Sequence, residues 1–174
     1  MTLYRVQLRD AAVQALIAAN TLAKTNVLVN HSLPTPIAKL PAILVTAPRD
    51  RATSNNRGAT DFTRVTTLAI RGQLCGETPE QVGSYLDELA EQIELAIMQD
   101  GNLQGMITQV VTIDTEQIIT SQTREHTGEI RFLFGLEYIE EYPPAGTPLT
   151  LINGQMQANG NPDLAGMQVP LTLN

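Results

Sequence analysis

Cysteine is nearly absent from this 174-residue chain. Cys75 stands alone, so no disulfide can form within the chain and a cysteine zinc cluster is excluded. There is no tryptophan, and aromatic residues make up only 4% of the sequence, so nothing points to a large aromatic-lined ligand pocket. Histidine occurs twice, as His31 and His126, and neither lies in an HExxH pattern or a spaced His/Cys cluster. Both read as surface-loop residues. Neither GxxxxGK[ST] nor GxGxxG occurs, so no phosphate-cradling loop is indicated. No apolar run approaches the ~20 residues of a membrane span. The opening MTLYRVQLRDAAVQAL lacks the apolar stretch and cleavage site of a signal peptide, so export is not expected. Wholesale disorder is excluded by an apolar content of 43%. The length suits one domain plus a tail.

Charge is unevenly spread. The net charge is −7, which argues against a general basic surface for nucleic acid. Residues 1–74 hold nine basic side chains against three acidic ones, or +6; residues 75–174 hold two basic against fifteen acidic, or −13. Halves of opposite sign can complement each other between copies, and head-to-tail contacts of that kind close into rings where the rotation permits.

Along the chain, residues 3–20 read as an alanine-rich helix with Val6, Val13, Leu16 and Ile17 at helical spacing. Asn26–Val29 is a short strand candidate. The proline-rich SLPTPIAKLP is a connector, and AILVT (42–46) is a buried strand. PRDRATSNNRGAT (48–60) has no apolar residue larger than alanine and reads as a long extended loop. It carries Arg49, Arg51 and Arg57, which suit a contact with acidic protein. Residues 62–75 alternate as a strand, with Phe62, Leu68, Ile70 and Leu74 on one side.

Thr78-Pro79-Glu80 is a helix start, and the helix predicted over 79–99 places Val82, Leu86, Leu89, Ile93 and Ile97 on one side. Glu80, Asp87, Glu88, Glu91 and Glu94 make the rest acidic. Asp100-Gly101-Asn102 reads as its stop. Strands follow at 107–119 and 129–142, separated by a turn at 122–128. In the second, Ile130, Phe132, Phe134, Leu136, Tyr138 and Tyr142 share a face. The three phenylalanines, 62, 132 and 134, make strands 62–75 and 129–142 central neighbours. The adjacent carboxylates Glu140-Glu141 and Asp87-Glu88 diverge in direction, so they read as surface or contact charge rather than an acid–base pair. Cys75 reads as a semi-buried structural thiol.

Past Pro143-Pro144 the composition changes to Gly, Pro and Asn with one charge, Asp163. Asn153-Gly154 is a hairpin signal, and NGNPD a further turn. This arm carries Leu151, Ile152, Val169 and Leu171 among other apolar residues and is too small to fold alone. It docks either on a neighbouring subunit or back on its own domain. The expected fold is α+β: a two-layer sandwich of a mixed or antiparallel sheet, four to five strands, two helices on one face, and an extended C-terminal arm. The domains are 1–142 and 143–174.

Several stretches resemble, in order and spacing, the tail terminator (tail completion) family of long-tailed bacteriophages: LYRVQLRDAAVQAL, LPAILVTAPRDRA with its polar loop, FTRVTTLAIRGQL, LDELAEQIELAI and IRFLFGLEYIEEY. The resemblance spans about residues 3–142. It implies a non-enzymatic virion protein of the tail and neck, assembled in the host cytoplasm. It implies a ring, six-membered in that family, that caps the tail tube, stops its polymerisation and joins the head connector. The implied partners are other copies of the chain, the tube protein and a connector or head-closure protein, with no cofactor, no catalytic residue, no membrane and no sequence-specific nucleic acid. The loop arginines are then one side of the subunit contact, helix acids Glu88, Glu91 and Glu94 the other, and the arm a further contact. Another neck protein or a tube subunit is the nearest alternative; a small enzyme or a ligand-binding module is the more distant one.

Overall fold

A computed structural model of the chain describes residues 3–31, 35–58, 60–121, 126–142, 146, 151–156 and 164–170. It divides into two compact units, Met1–Glu141 and Tyr142–Asn174. The first is an α+β two-layer unit. Its elements are α1 (Tyr4–Ala18), β1 (Val27–Val29), a short 3-10 turn (Ile37–Lys39), β2 (Ala42–Ser54), β3 (Asp61–Gly76), α2 (Pro79–Gln99), α3 (Gly101–Gly105), β4 (Gln109–Ser121) and β5 (His126–Glu141). The sheet order is β1-β2-β3-β5-β4. β1 runs parallel to β2 and every other pair is antiparallel, so the sheet is mixed.

The two-residue alternation of β3 and β5 builds the core. Leu68, Ile70 and Leu74 of β3, with Ile130, Phe132, Phe134, Leu136 and Tyr138 of β5, lie on one face and are at most 3% exposed. β3 pairs with β5 along its whole length, Asp61 opposite Glu141 to Gly76 opposite His126, so these strands are the centre of the sheet, as their phenylalanines suggest. Helix α2 lays Val82, Leu86, Leu89, Ile93 and Ile97 on this face, all fully buried. Its start is set locally: Pro79 takes the first turn, and the Thr78 side chain accepts a hydrogen bond from the Gln81 amide at 3.2 Å. Two glycines let the helix down onto the strands. A Cβ at Gly72 would lie 2.7 Å from Leu89 Cδ2, and one at Gly128 would lie 2.6 Å from both Leu86 Cδ1 and Val82 Cγ1. Helix α1 adds Leu8, Ala11, Ala12, Val13 and Leu16, its alanines allowing close approach.

Three sequence expectations are corrected in these elements. Residues 48–54 are not loop: β2 runs on to Ser54 and pairs with β3 as far as Ser54 opposite Phe62. Backbone pairing in a two-stranded ribbon needs no buried side chain, so the polar run hides the strand. Its one irregularity, a register shift between Thr46 and Arg49, falls at Pro48, which has no amide to give to a ladder. The connection shortens to 55–60, where Gly58 takes a left-handed φ of 82°. Secondly, α2 ends at Gln99 as the Asp100-Gly101-Asn102 stop predicts, but those residues then open a further short helix instead of leading straight to a strand. Asp100 is extended, and its side chain accepts from the Leu103 amide at 2.7 Å, opening α3, whose Leu103 is fully buried. Thirdly, in the second unit Asn153-Gly154 is not a turn. β6 (Leu151–Met156) runs through it and pairs antiparallel with β7 (Leu164–Pro170), Asn153 opposite Gln168 and Gly154 opposite Met167. The NGNPD turn, and most of the turn expected at 122–128, lie outside the described residues.

Candidate functional site

The covered face of the sheet carries a polar cluster where β2 and β3 leave the helices behind. Asp50, Arg64, Thr66, Tyr138 and Glu140 come from three adjacent strands. Antiparallel register sets Asp50 opposite Thr66 and Arg64 opposite Tyr138. The Arg64 guanidinium pairs with Asp50 through one terminal nitrogen, and its Nε lies 2.6 Å from Glu140 Oε2. Thr66 Oγ1 donates to Asp50 Oδ1 at 2.8 Å, and the Tyr138 hydroxyl donates to the same oxygen at 3.4 Å. Burial raises the Tyr138 pKa, and the neighbouring Asp50 and Glu140 carboxylates add to this; Thr66 and Arg64 oppose it. The Tyr138 ring lies 4.6 Å from that of Tyr4, whose hydroxyl donates to the Met106 carbonyl at 2.7 Å. The cluster therefore ties the long hairpin to β5, and β5 to α1 and the end of α3.

An open cleft of about 490 Å³ adjoins it, bordered by Leu3, Tyr4, Arg5, Pro48, Arg49 and the cluster itself. Its chemistry is that of a lock. Asp50 and Glu140 both pair with the Arg64 guanidinium, and the Thr66 and Tyr138 hydroxyls both turn onto Asp50, so the polar groups of the cluster are taken up by one another. Glu140 thus departs from its reading as surface charge: its side chain is 20% exposed and ion-paired. Among the described residues no group of three or more His, Cys, Asp or Glu side chains is placed to hold a metal ion. Nor, among them, is any helix long and apolar enough to cross a membrane.

Among the described residues of the first unit, no helix covers the opposite face of the sheet. Register places Arg49 and Arg51 on it, opposite Thr67 and Val65. Arg71 and Arg131 face each other across β3 and β5, with Glu129 lying 3.8 Å from Arg71. β4, the outer strand, is exposed along residues 111–119, and its Val111, Ile113, Ile118 and Ile119 are 39–49% exposed. β5 adds Ile139 at 60%. Exposed β-branched residues along one edge form a surface of the kind that another chain covers.

The sequence-derived contact residues fall in separate places. Arg49 and Arg51 are exposed on β2, and Arg57 is exposed in the turn at the hairpin tip. Glu88, Glu91 and Glu94 are exposed on α2, on the other side of the sheet from Arg49 and Arg51. Leu151 and Ile152 of β6 stand opposite Pro170 and Val169 of β7 in register, while Leu171 lies outside the described residues. Sequence reasoning missed the Asp50–Arg64–Glu140 lock and the β4 edge. The lock joins residues 76 positions apart, and nothing in the local pattern announces it. The edge had a signal, because apolar residues occur on both parities of 110–119, as in a strand covered on both faces, whereas residues 111–119 are all exposed in the single chain.

No protein-family model matches the sequence, and no curated protein matches it. Among solved structures the chain is similar to a chain of the virion of a native gene transfer agent particle. The two share 11% identity over 75% of this chain and 94% of that one, with a TM-score of 0.41. A likeness at that score assigns neither fold nor role.

Proposed function

We propose that this chain is a structural virion protein of the tail-terminator kind, without enzymatic activity. Its copies form a ring, six-membered as in the family it resembles, at the end of the tail tube. The ring stops tube growth and offers its other face to the head connector or a head-closure protein. The observation that carries this reading is the division of the sheet. One face is closed by two helices and locked by an ion-pair cluster, while the other face and the β4 edge carry exposed isoleucine, valine and charged side chains. A domain that spends its charged cluster on joining strands and leaves a sheet edge bare is suited to assembly. Arg49, Arg51 and Arg57 supply the basic side of the subunit contact. The acids of α2 and of β4 are the candidates for the other side. Leu151, Ile152, Val169 and Leu171 of the arm supply a further contact, on a neighbour or the next ring.

The test is light scattering or mass photometry of the purified chain across concentration and salt, repeated with purified tail tubes. A discrete ring, free or formed only at tube ends, is expected. Open filaments would make the chain a tube subunit instead. A chain that neither assembles nor binds tubes would refute the assembly reading.

A further inference from the structure

The five-stranded sheet has two unfilled edges, and they match. On one side, β1 covers β2 only from Ile43 to Val45, so the outer edge of β2 from Thr46 to Ser54 has no strand beside it in this sheet. On the other side, β4 ends the sheet from Gln109 to Ser121. The β2 edge presents Arg49 and Arg51, two residues apart, on the uncovered face. The β4 edge presents Asp114 and Glu116, also two residues apart, on the same face, opposite Leu133 and Arg131. All four are exposed, and among the described residues none makes an ion pair within 4 Å.

From these features we infer that the β4 edge of one copy pairs with the Thr46–Ser54 edge of β2 in a second copy. The inference rests on the assembly reading above and gives it a specific contact. Strand direction supports it. β2 and β3, β3 and β5, and β5 and β4 are all antiparallel, so β4 runs opposite to β2 within the sheet. A second copy set beside the first with its helices on the same side therefore meets β4 with an antiparallel β2. Reading the two edges in opposite directions puts Arg49 across from Glu116 and Arg51 across from Asp114. Both pairs share a rise of roughly 6.8 Å between successive same-face residues, so both ion pairs form in one register. In that register residues 46–54 meet 111–119, the stretch of β4 whose side chains are all exposed. Pairing also satisfies the backbone groups along both edges and shelters Ile113 and Ile118. The contact joins two different surfaces, so it repeats head to tail and closes only as a ring.

Charge reversal and cross-linking test this in the full chain. Arg49→Glu with Arg51→Glu should shift assembly to at least about tenfold higher protein concentration at low salt. Adding Asp114→Arg and Glu116→Arg to the same chain should restore it. In a Cys75→Ser background, Arg51→Cys with Asp114→Cys should oxidise to a ladder of covalent multimers, because directly opposed strand residues lie within disulfide reach. Arg51→Cys with Glu88→Cys, on opposite sides of the sheet, should not. Thermal melts confirm that each variant is folded. If the wild type forms rings, the reversals leave them intact and no ladder appears, the edge pairing is wrong and the ring reading stands. A wild type that stays monomeric and gives no ladder with tail tubes present as well as without them overturns both.

Discussion

The seat of α2 on Gly128 can be tested by a single methyl group. An alanine Cβ there would sit 2.6 Å from Leu86 Cδ1, 2.6 Å from Val82 Cγ1 and 3.0 Å from Leu86 Cγ. Carbon atoms settle at about 3.5–4.0 Å, so the helix must retreat by about 1 Å or both side chains must leave their rotamers. Neither has room, since Val82 and Leu86 are fully buried and the helix also rests on Gly72. Overpacking of this kind costs about 1–3 kcal/mol. Alanine also narrows the unfolded ensemble, which returns about 0.4–1 kcal/mol. Gly128→Ala should therefore destabilise the domain by about 1–2 kcal/mol, read as a lower urea midpoint at unchanged m-value.

The stronger test is a double-mutant cycle. Leu86→Ala alone should cost about 2–5 kcal/mol by leaving a cavity. Combined with Gly128→Ala it removes the Leu86 part of the collision and leaves the Val82 part, so the double variant should lose less than the two single losses together, by about 0.5–1.5 kcal/mol. Strict additivity, or a Gly128→Ala protein as stable as the parent, would refute close packing of α2 on this strand.

Three further expectations follow from the same geometry. Arg64→Met leaves Asp50 and Glu140 facing each other without their shared cation. With the arginine side chain 22% exposed, the loss should be about 2–3 kcal/mol, measured by urea unfolding, and an unchanged midpoint would mean the cluster is not a lock. Tyr138 holds its proton more tightly folded than unfolded, so its contribution is intact below its ordinary pKa of about 10 and lost as pH climbs through the raised value. Tyr138→Phe should flatten the fall of the urea midpoint as pH rises above about 10, and an equal slope in both proteins would argue against burial of that hydroxyl. Ending the chain after Pro144 should leave Met1–Glu141 folded with a cooperative melt, because that unit holds the core cluster; loss of the transition would make the arm part of the domain.

The helix α2, the central pair β3 and β5, and the face each presents to the core were readable along the chain. They rest on local regularities: an N-cap threonine followed by proline, buried residues every three or four positions in the helix, and every second position in the strands. The acid-rich side of α2 was readable for the same reason. The continuation of β2 through Arg49 and Arg51 was not, because strands held by backbone pairing at a solvated hairpin leave no hydrophobic period, and the Asn153-Gly154 pair misled because a hairpin dipeptide also fits within a strand. The Asp50–Arg64–Glu140 lock, and the placing of Arg49 and Arg51 on the face away from Glu88, Glu91 and Glu94, depend on which residues stand opposite across three strands. Neighbours along the chain carry propensity and burial, but register is set by the joint packing of the whole sheet against its helices, and a shift of one residue would send each of these charges to the other face.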